Sequence, residues 1–327
     1  MNIMLAKENL PEKVEMRQVY CDTLIEMSEA DDRVVVLDAD LMTAMGTLRY
    51  AKRFPDRTIN CGIQEANMIG VAAGLSAAGK IPFAHTFAAF ASRRALDQVF
   101  ISGAYAKLNI KIIGSDPGIT AALNGGTHMS FEDLGIMRAI PQMTVIEPAD
   151  SSAFRDILKK IKDVYGMFYV RLVRKNAIKI YEEGSTFEIG KSVLLKNGSD
   201  ITIIAAGFCV AEALEAARML EAKGISARVI DMFTIKPIDK EAVIKSARET
   251  GAVVTAENHN IINGLGSAVA EVLGEHMPVP MGRIGIKDSF GEVGPVDYLK
   301  KRFEITAQDI AAKAEEVLRR KYQERTA

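Results

Sequence analysis

"RVVVLDAD", residues 33–40, is a run of three valines and a leucine closed on both sides by charged residues. An apolar run this short, with no polar alternation, reads as a strand buried on both faces. The same construction recurs at "NIKIIGSD" (109–116), "MTVIEPAD" (143–150) and "MFYVRLVR" (167–174). Between these runs, residues 14–27, 64–78, 89–104, 131–139 and 152–162 carry helix formers with apolar positions three and four apart. Strands that alternate with helices predict an α/β fold with a mostly parallel sheet flanked by helices.

After Arg174 the pattern lapses into a charged, turn-rich stretch, which places a linker near 178–190. It resumes with strands at 201–207, 227–233, 252–258 and 281–286 and helices at 209–223, 238–250, 264–273 and 307–322. Two α/β domains are therefore expected, over 1–185 and 186–327, a division that suits a chain of 327 residues.

Lys and Arg number 41 against 42 Asp and Glu, so no overall field draws the chain to nucleic acid or to an acidic membrane. No apolar run approaches the roughly 18 residues of a membrane span. Three scattered cysteines, Cys21, Cys61 and Cys209, make neither a disulfide framework nor a zinc cluster. A cytoplasmic protein is expected. HExxH, paired CxxC and GxSxG motifs are absent, which argues against metal and serine hydrolases.

Open α/β sheets hold ligands at the carboxyl ends of their strands. That criterion selects Asp38, Asp40, Ser115, Asp116, Glu147, Asp150, Arg171 and Arg174, each of which also suits a cap or a turn. "LNGGTHMSFEDLG" (123–135) places Gly125, Gly126 and His128 before a helix whose start Ser130 and Asp133 can cap. Glycines there let backbone approach a ligand, and a histidine titrates where protons are moved. "HTFAAFASRRALDQ" (85–98) sets Phe87 and Phe90 three apart, on one face if helical. "NGLGSA" after His259 lacks the spacing of a phosphate-binding loop, so Gly264 and Gly266 read as turn and helix-start residues. Glu65, in "GIQEANMIGVAAGLSAAGK" (62–80), is a lone acid at the mouth of a small-residue helix: either an acid favoured by the helix dipole or a buried catalytic group.

Taken in order, "INCGIQEANMIGVAAGLSAAGKIPFAHTFAAFASRRALDQV" (59–99), "NGGTHMSFEDLGIMRAIPQMTVIEPAD" (124–150) and "YVRLVRKN" (169–176) resemble the pyrimidine-binding domain of transketolases, and the likeness continues through the C-terminal domain. The chain looks like the small subunit of a split transketolase. The resemblance implies thiamine diphosphate as cofactor, with Glu65 hydrogen-bonded to its aminopyrimidine nitrogen and activating it. It implies that Phe87, Phe90, Asp40 and Arg93 contribute to the cofactor site, and that His128 contacts donor substrate and moves protons. Asp116, Asn124, His128 and Arg174 fall at substrate-binding positions. Two depart from the family pattern: Asn124 where many members have an aspartate, and Asp116 where many have a phosphate-binding histidine. An acid at Asp116 repels a phosphate. The family's GDG segment is missing from this sequence. Mg²⁺ and the diphosphate are thus expected on a larger partner subunit, in an α2β2 heterotetramer that acts on sugars. The β subunit of a 2-oxo acid dehydrogenase shares the two-domain plan, and a non-catalytic scaffold subunit is a further alternative. TFAAF and MRAIPQMTVIEPAD lean toward transketolase.

Overall fold

The computed structural model describes residues 1–324. Its strands are β1 (Val34–Asp38), β2 (Thr58–Asn60), β3 (Ile81–Phe87), β4 (Lys111–Ser115), β5 (Thr144–Ile146), β6 (Phe168–Leu172), β7 (Val193–Lys196), β8 (Ile201–Ala205), β9 (Ala227–Asp231), β10 (Thr234–Lys236), β11 (Val253–Asn260) and β12 (Met281–Ile286). Seven form one sheet in the order β10-β5-β6-β4-β3-β1-β2, and five form a second in the order β12-β11-β8-β9-β7. All pairings are parallel except those of the edge strands β10 and β7.

The unbroken apolar run of β1 follows from packing on both faces. Val34 and Val36 face one way and join Tyr20 and Leu24 of the helix Met16–Ala30, together with Phe154. Val35 and Leu37 face the other way and join Met68, Ile69 and Ala72 of the helix Glu65–Ala77. Successive strand side chains alternate between faces, so both sets must be apolar. β3 does not read as a strand in the sequence, because "IPFAHTF" is interrupted by proline, histidine and threonine. Its seven residues are nevertheless all buried. Phe87 therefore ends a strand, and Phe90 opens a π-helical segment, Phe90–Arg94. The two rings do not share a helix face.

The sheets do not divide strictly at the linker. After β9 the chain returns to the first sheet, where β10 pairs antiparallel with β5 and Glu147 N–H bonds the Phe233 carbonyl at 2.8 Å. Buried charges cement this seam. Arg171 bonds Asp133 through Nε (2.8 Å) and Nη2 (2.5 Å), Glu147 at 3.0 Å and the Asn258 carbonyl at 3.1 Å. Asp133 is thus an interior partner of Arg171 and Tyr169 rather than a helix cap, and the helix Asp133–Ala139 has no side-chain cap. Asp150 does cap, accepting from Ala153 N–H at 2.9 Å. No helix among the described residues is long and apolar enough to cross a membrane.

Candidate active site

Register brings the site together. Phe87 of β3 pairs with Ser115 of β4, and Ser115 with Leu172 of β6, so the residues just beyond, Asp116 and Arg174, emerge on one edge beside Phe87. Asp116 sits at φ 51°, a left-handed conformation that aspartate tolerates, with its N–H bonded to the Leu172 carbonyl at 2.9 Å. Its buried carboxylate is ion-paired with Arg174 Nε. Burial raises Asp116 to about 6 against the pull of that arginine.

Arg174 lies over one side of Phe87, its Cζ 5.0 Å from the ring centroid. His128 meets Phe87 and Phe90 edge-on, at 5.5 and 5.1 Å between centroids. The imidazole Nδ1 is 2.9 Å from Thr127 Oγ1. Its pKa is lowered, first by desolvation and then by Arg94, Arg93 and Arg174, so at neutral pH it is uncharged and able both to give and to take a proton.

Glu65 is the first residue of its helix and only 1% exposed. Thr86 Oγ1 donates to it at 3.3 Å, and Arg94 Nη1 donates to both oxygens at 3.0 and 2.8 Å. The Arg94 side chain is 45% exposed and its Cζ stands 4.0 Å from the Phe90 centroid. Glu65, Arg94, Phe90, His128, Phe87, Arg174 and Asp116 thus form one continuous surface at the strand ends.

The other sequence candidates fall around it. Arg93 donates to the Thr127 carbonyl at 2.9 Å and lies 3.2 Å from Glu132, gripping the histidine loop. Asp40 is exposed after β1, tied to Asn60 through its N–H at 3.1 Å. Asn124 is exposed at the end of the 3-10 helix Gly118–Asn124. Gly125 and Gly126 also let the loop lie close against the C-terminal domain. A Cβ on Gly126 would stand 2.3 Å from the Gly291 carbonyl oxygen, and one on Gly125 would stand 2.7 Å from Val293. The C-terminal domain fills the space against which this loop rests. His259 is buried, with Nε2 accepting from Gly135 N–H at 3.2 Å and its pKa pushed down to about 4 by desolvation. The "NGLGSA" helix start is already occupied by an internal carboxylate: Leu265 and Gly266 N–H donate to Glu257 at 2.6 and 2.8 Å.

Sequence reasoning missed Arg94 and Thr86. Arg94 adjoins Arg93 in "SRRAL", and the local π-helical winding, which differs from the α-helical period, decides which of the two reaches Glu65.

The family described as "Transketolase, pyrimidine binding domain" matches residues 12–179, and "Transketolase, C-terminal domain" matches 190–310. The chain belongs to the transketolase family. It is 56% identical over 306 residues to the 6-deoxy-6-sulfo-D-fructose transketolase subunit SqwH of Clostridium sp. (strain MSTE9), covering 94% of this chain and 95% of that protein. It is 39% identical to one subunit of the apulose-4-phosphate transketolase of Phocaeicola vulgatus (strain ATCC 8482 / DSM 1447 / JCM 5826 / CCUG 4940 / NBRC 14291 / NCTC 11154), covering 83% of this chain and 87% of that protein. Among solved structures it superposes with TM-score 0.86 on a split gene transketolase described as an inactive β4 tetramer, at 45% identity over 95% of this chain and 99% of that one. Both of these curated relatives, each matched over most of its own length, are named as transketolase subunits.

Proposed function

We propose that this chain is the pyrimidine-domain subunit of a thiamine diphosphate-dependent transketolase, which moves a two-carbon ketol unit from a ketose to an aldose once joined to a larger subunit. One observation carries the reading: a nearly fully buried carboxylate, Glu65, opens onto an aromatic rim beside a neutral histidine.

The residues fit an aminopyrimidine. Within the chain, Glu65 already binds a planar N–H donor stacked on Phe90, the Arg94 guanidinium, which is the chemistry a protonated pyrimidine offers. When bound, the cofactor supplies the nucleophilic carbon that cleaves and rebuilds the ketose. Glu65 holds a proton at the ring nitrogen, in a pocket where little water competes for the bond. Phe87 and Phe90 wall the ring. His128, kept neutral by desolvation and three arginines, gives and takes protons at donor hydroxyls. Asp40, Arg93 and Asn124 complete the rim, and Arg174 with Asp116 meets the far end of the donor.

A larger subunit carrying the Mg²⁺ and diphosphate contacts, in an α2β2 heterotetramer, is supported by the relatives' designation as subunits and by the inactivity of the β4 tetramer of the split-gene neighbour. The exposed Gly70, Gly74 and Ala77 of the Glu65 helix, near exposed Phe100, Ile101 and Tyr105, offer a surface for it. We place the domain boundary at 185/186, between the two family matches.

The test is to co-express this chain with the larger subunit and to assay the assembly with thiamine diphosphate and Mg²⁺, using ketose plus aldose in one arm and a 2-oxo acid with an artificial electron acceptor in the other. Ketol transfer supports the reading. Turnover confined to the 2-oxo acid arm replaces it with the dehydrogenase alternative.

A further inference from the structure

We propose that the Asp116–Arg174 pair makes the donor end of the site a receptor for a singly charged tetrahedral anion, so that the ketose is recognised through a sulfonate in preference to a phosphate. The inference rests on the reading of this surface as the donor pocket.

The charges around Arg174 are matched one against another. Asp116, buried behind it, pairs with Nε. The next residue, Lys175, pairs with Glu15 at 2.9 Å, and Arg17, whose N–H bonds the Arg174 carbonyl, pairs with the same Glu15 at 2.6 Å. Three cations against two acids leave one net positive charge. Across the aromatic rim, Arg94 is held by Glu65 and Arg93 lies beside Glu132. The guanidinium of Arg174 remains 17% exposed beside Phe87, and among the described residues its outer nitrogens make no hydrogen bond within the chain.

A sulfonate is a monoanion at every physiological pH, and it meets one net positive charge. A phosphate monoester is largely dianionic above its second pKa near 6. Its extra charge would stand against Asp116, which burial keeps from being screened by water. Asp116 is itself mostly ionised at pH 8, with its pKa at about 6. The pair therefore discriminates by charge between two tetrahedral headgroups of similar size. The phosphate monoester is also set one ester oxygen further from the sugar carbon, so the charge effect is read from the change that Asp116→Asn makes in the ratio.

The test uses the assembled two-subunit holoenzyme at pH 8, with 6-deoxy-6-sulfo-D-fructose and D-fructose 6-phosphate as donors and a common aldose acceptor. Wild type should show kcat/KM at least about tenfold higher for the sulfonate. Asp116→Asn keeps a residue that tolerates the left-handed backbone; it should cut that ratio about tenfold, mainly by lowering KM for the phosphate. A wild type that uses the phosphate donor equally well, or a variant that leaves the ratio unchanged, overturns the proposal. A readout that needs no variant is competitive inhibition of wild type. Methanesulfonate should inhibit more strongly than methyl phosphate, and the reverse order overturns the proposal. A holoenzyme that turns over neither donor defeats the donor-pocket reading, and this inference with it; turnover with the wrong selectivity defeats this inference alone.

Discussion

Replacing Glu65 by glutamine separates the carboxylate's charge from its shape. The side chain is buried, accepts from Thr86 and Arg94, and heads a helix whose Met68, Ile69 and Ala72 lie in the core. Glutamine keeps the length and one acceptor oxygen for Arg94, which is half in solvent and can be rehydrated. The subunit should fold, with Tm within about 4 °C of wild type if the cost is near 1 kcal/mol. A hydrogen bond to a charged group is worth about 1.5–3 kcal/mol. At about 1.4 kcal/mol per decade of rate, removing its charge should lower kcat roughly ten- to 150-fold. The assay is steady-state ketol transfer by the assembled holoenzyme at saturating thiamine diphosphate, with assembly checked by gel filtration. An E65Q holoenzyme that assembles normally and keeps full kcat refutes the activation role. A variant impaired only in its cofactor Kd, with kcat intact at saturation, refutes it as well.

Three further outcomes follow from the same geometry. Asp231 and Glu257 are raised to about 8 by burial, so the folded chain holds protons that the unfolded chain releases above about 4; stability should fall as pH rises from about 4 to 8. Asp231→Asn should flatten part of that slope in Tm-versus-pH scans, since Tyr181 can still donate to the amide oxygen, and superimposable slopes count against it. Gly126→Ala puts a methyl 2.3 Å from the Gly291 carbonyl oxygen, so it should cost about 1–3 kcal/mol in thermal melts; an unchanged Tm refutes the tight loop contact. His128→Asn should remove an acid limb lying below pH 6.5 from the kcat/KM profile of the holoenzyme, consistent with the lowered pKa of the imidazole; an identical limb assigns it to another group.

Much of the fold was legible because a strand sandwiched between two helix layers is largely apolar on both faces, as β1 is over Val34–Leu37 and as β4 and β6 are apart from the buried Lys111, Ser115 and Arg171. β3 escaped notice because its polar residues, His85 and Thr86, find partners at a distance in sequence. His85 Nε2 lies 2.7 Å from Asp38 Oδ2, and Thr86 donates to Glu65. The position of β10 in the first sheet was equally hidden, since a three-residue strand carries no period that names its partner.

The sequence by itself determined the α/β alternation and the resemblance that singled out Glu65, Phe87, Phe90, His128 and Arg174, because burial on both faces and motif order are written in local residue types. Only the tertiary structure decided that Arg94 rather than Arg93 reaches Glu65, that Gly126 rests on Gly291, and that Asp116 meets Arg174. Those pairings depend on strand register, helical winding and the return of the chain across the domain seam, and none of these is a property of neighbouring residues.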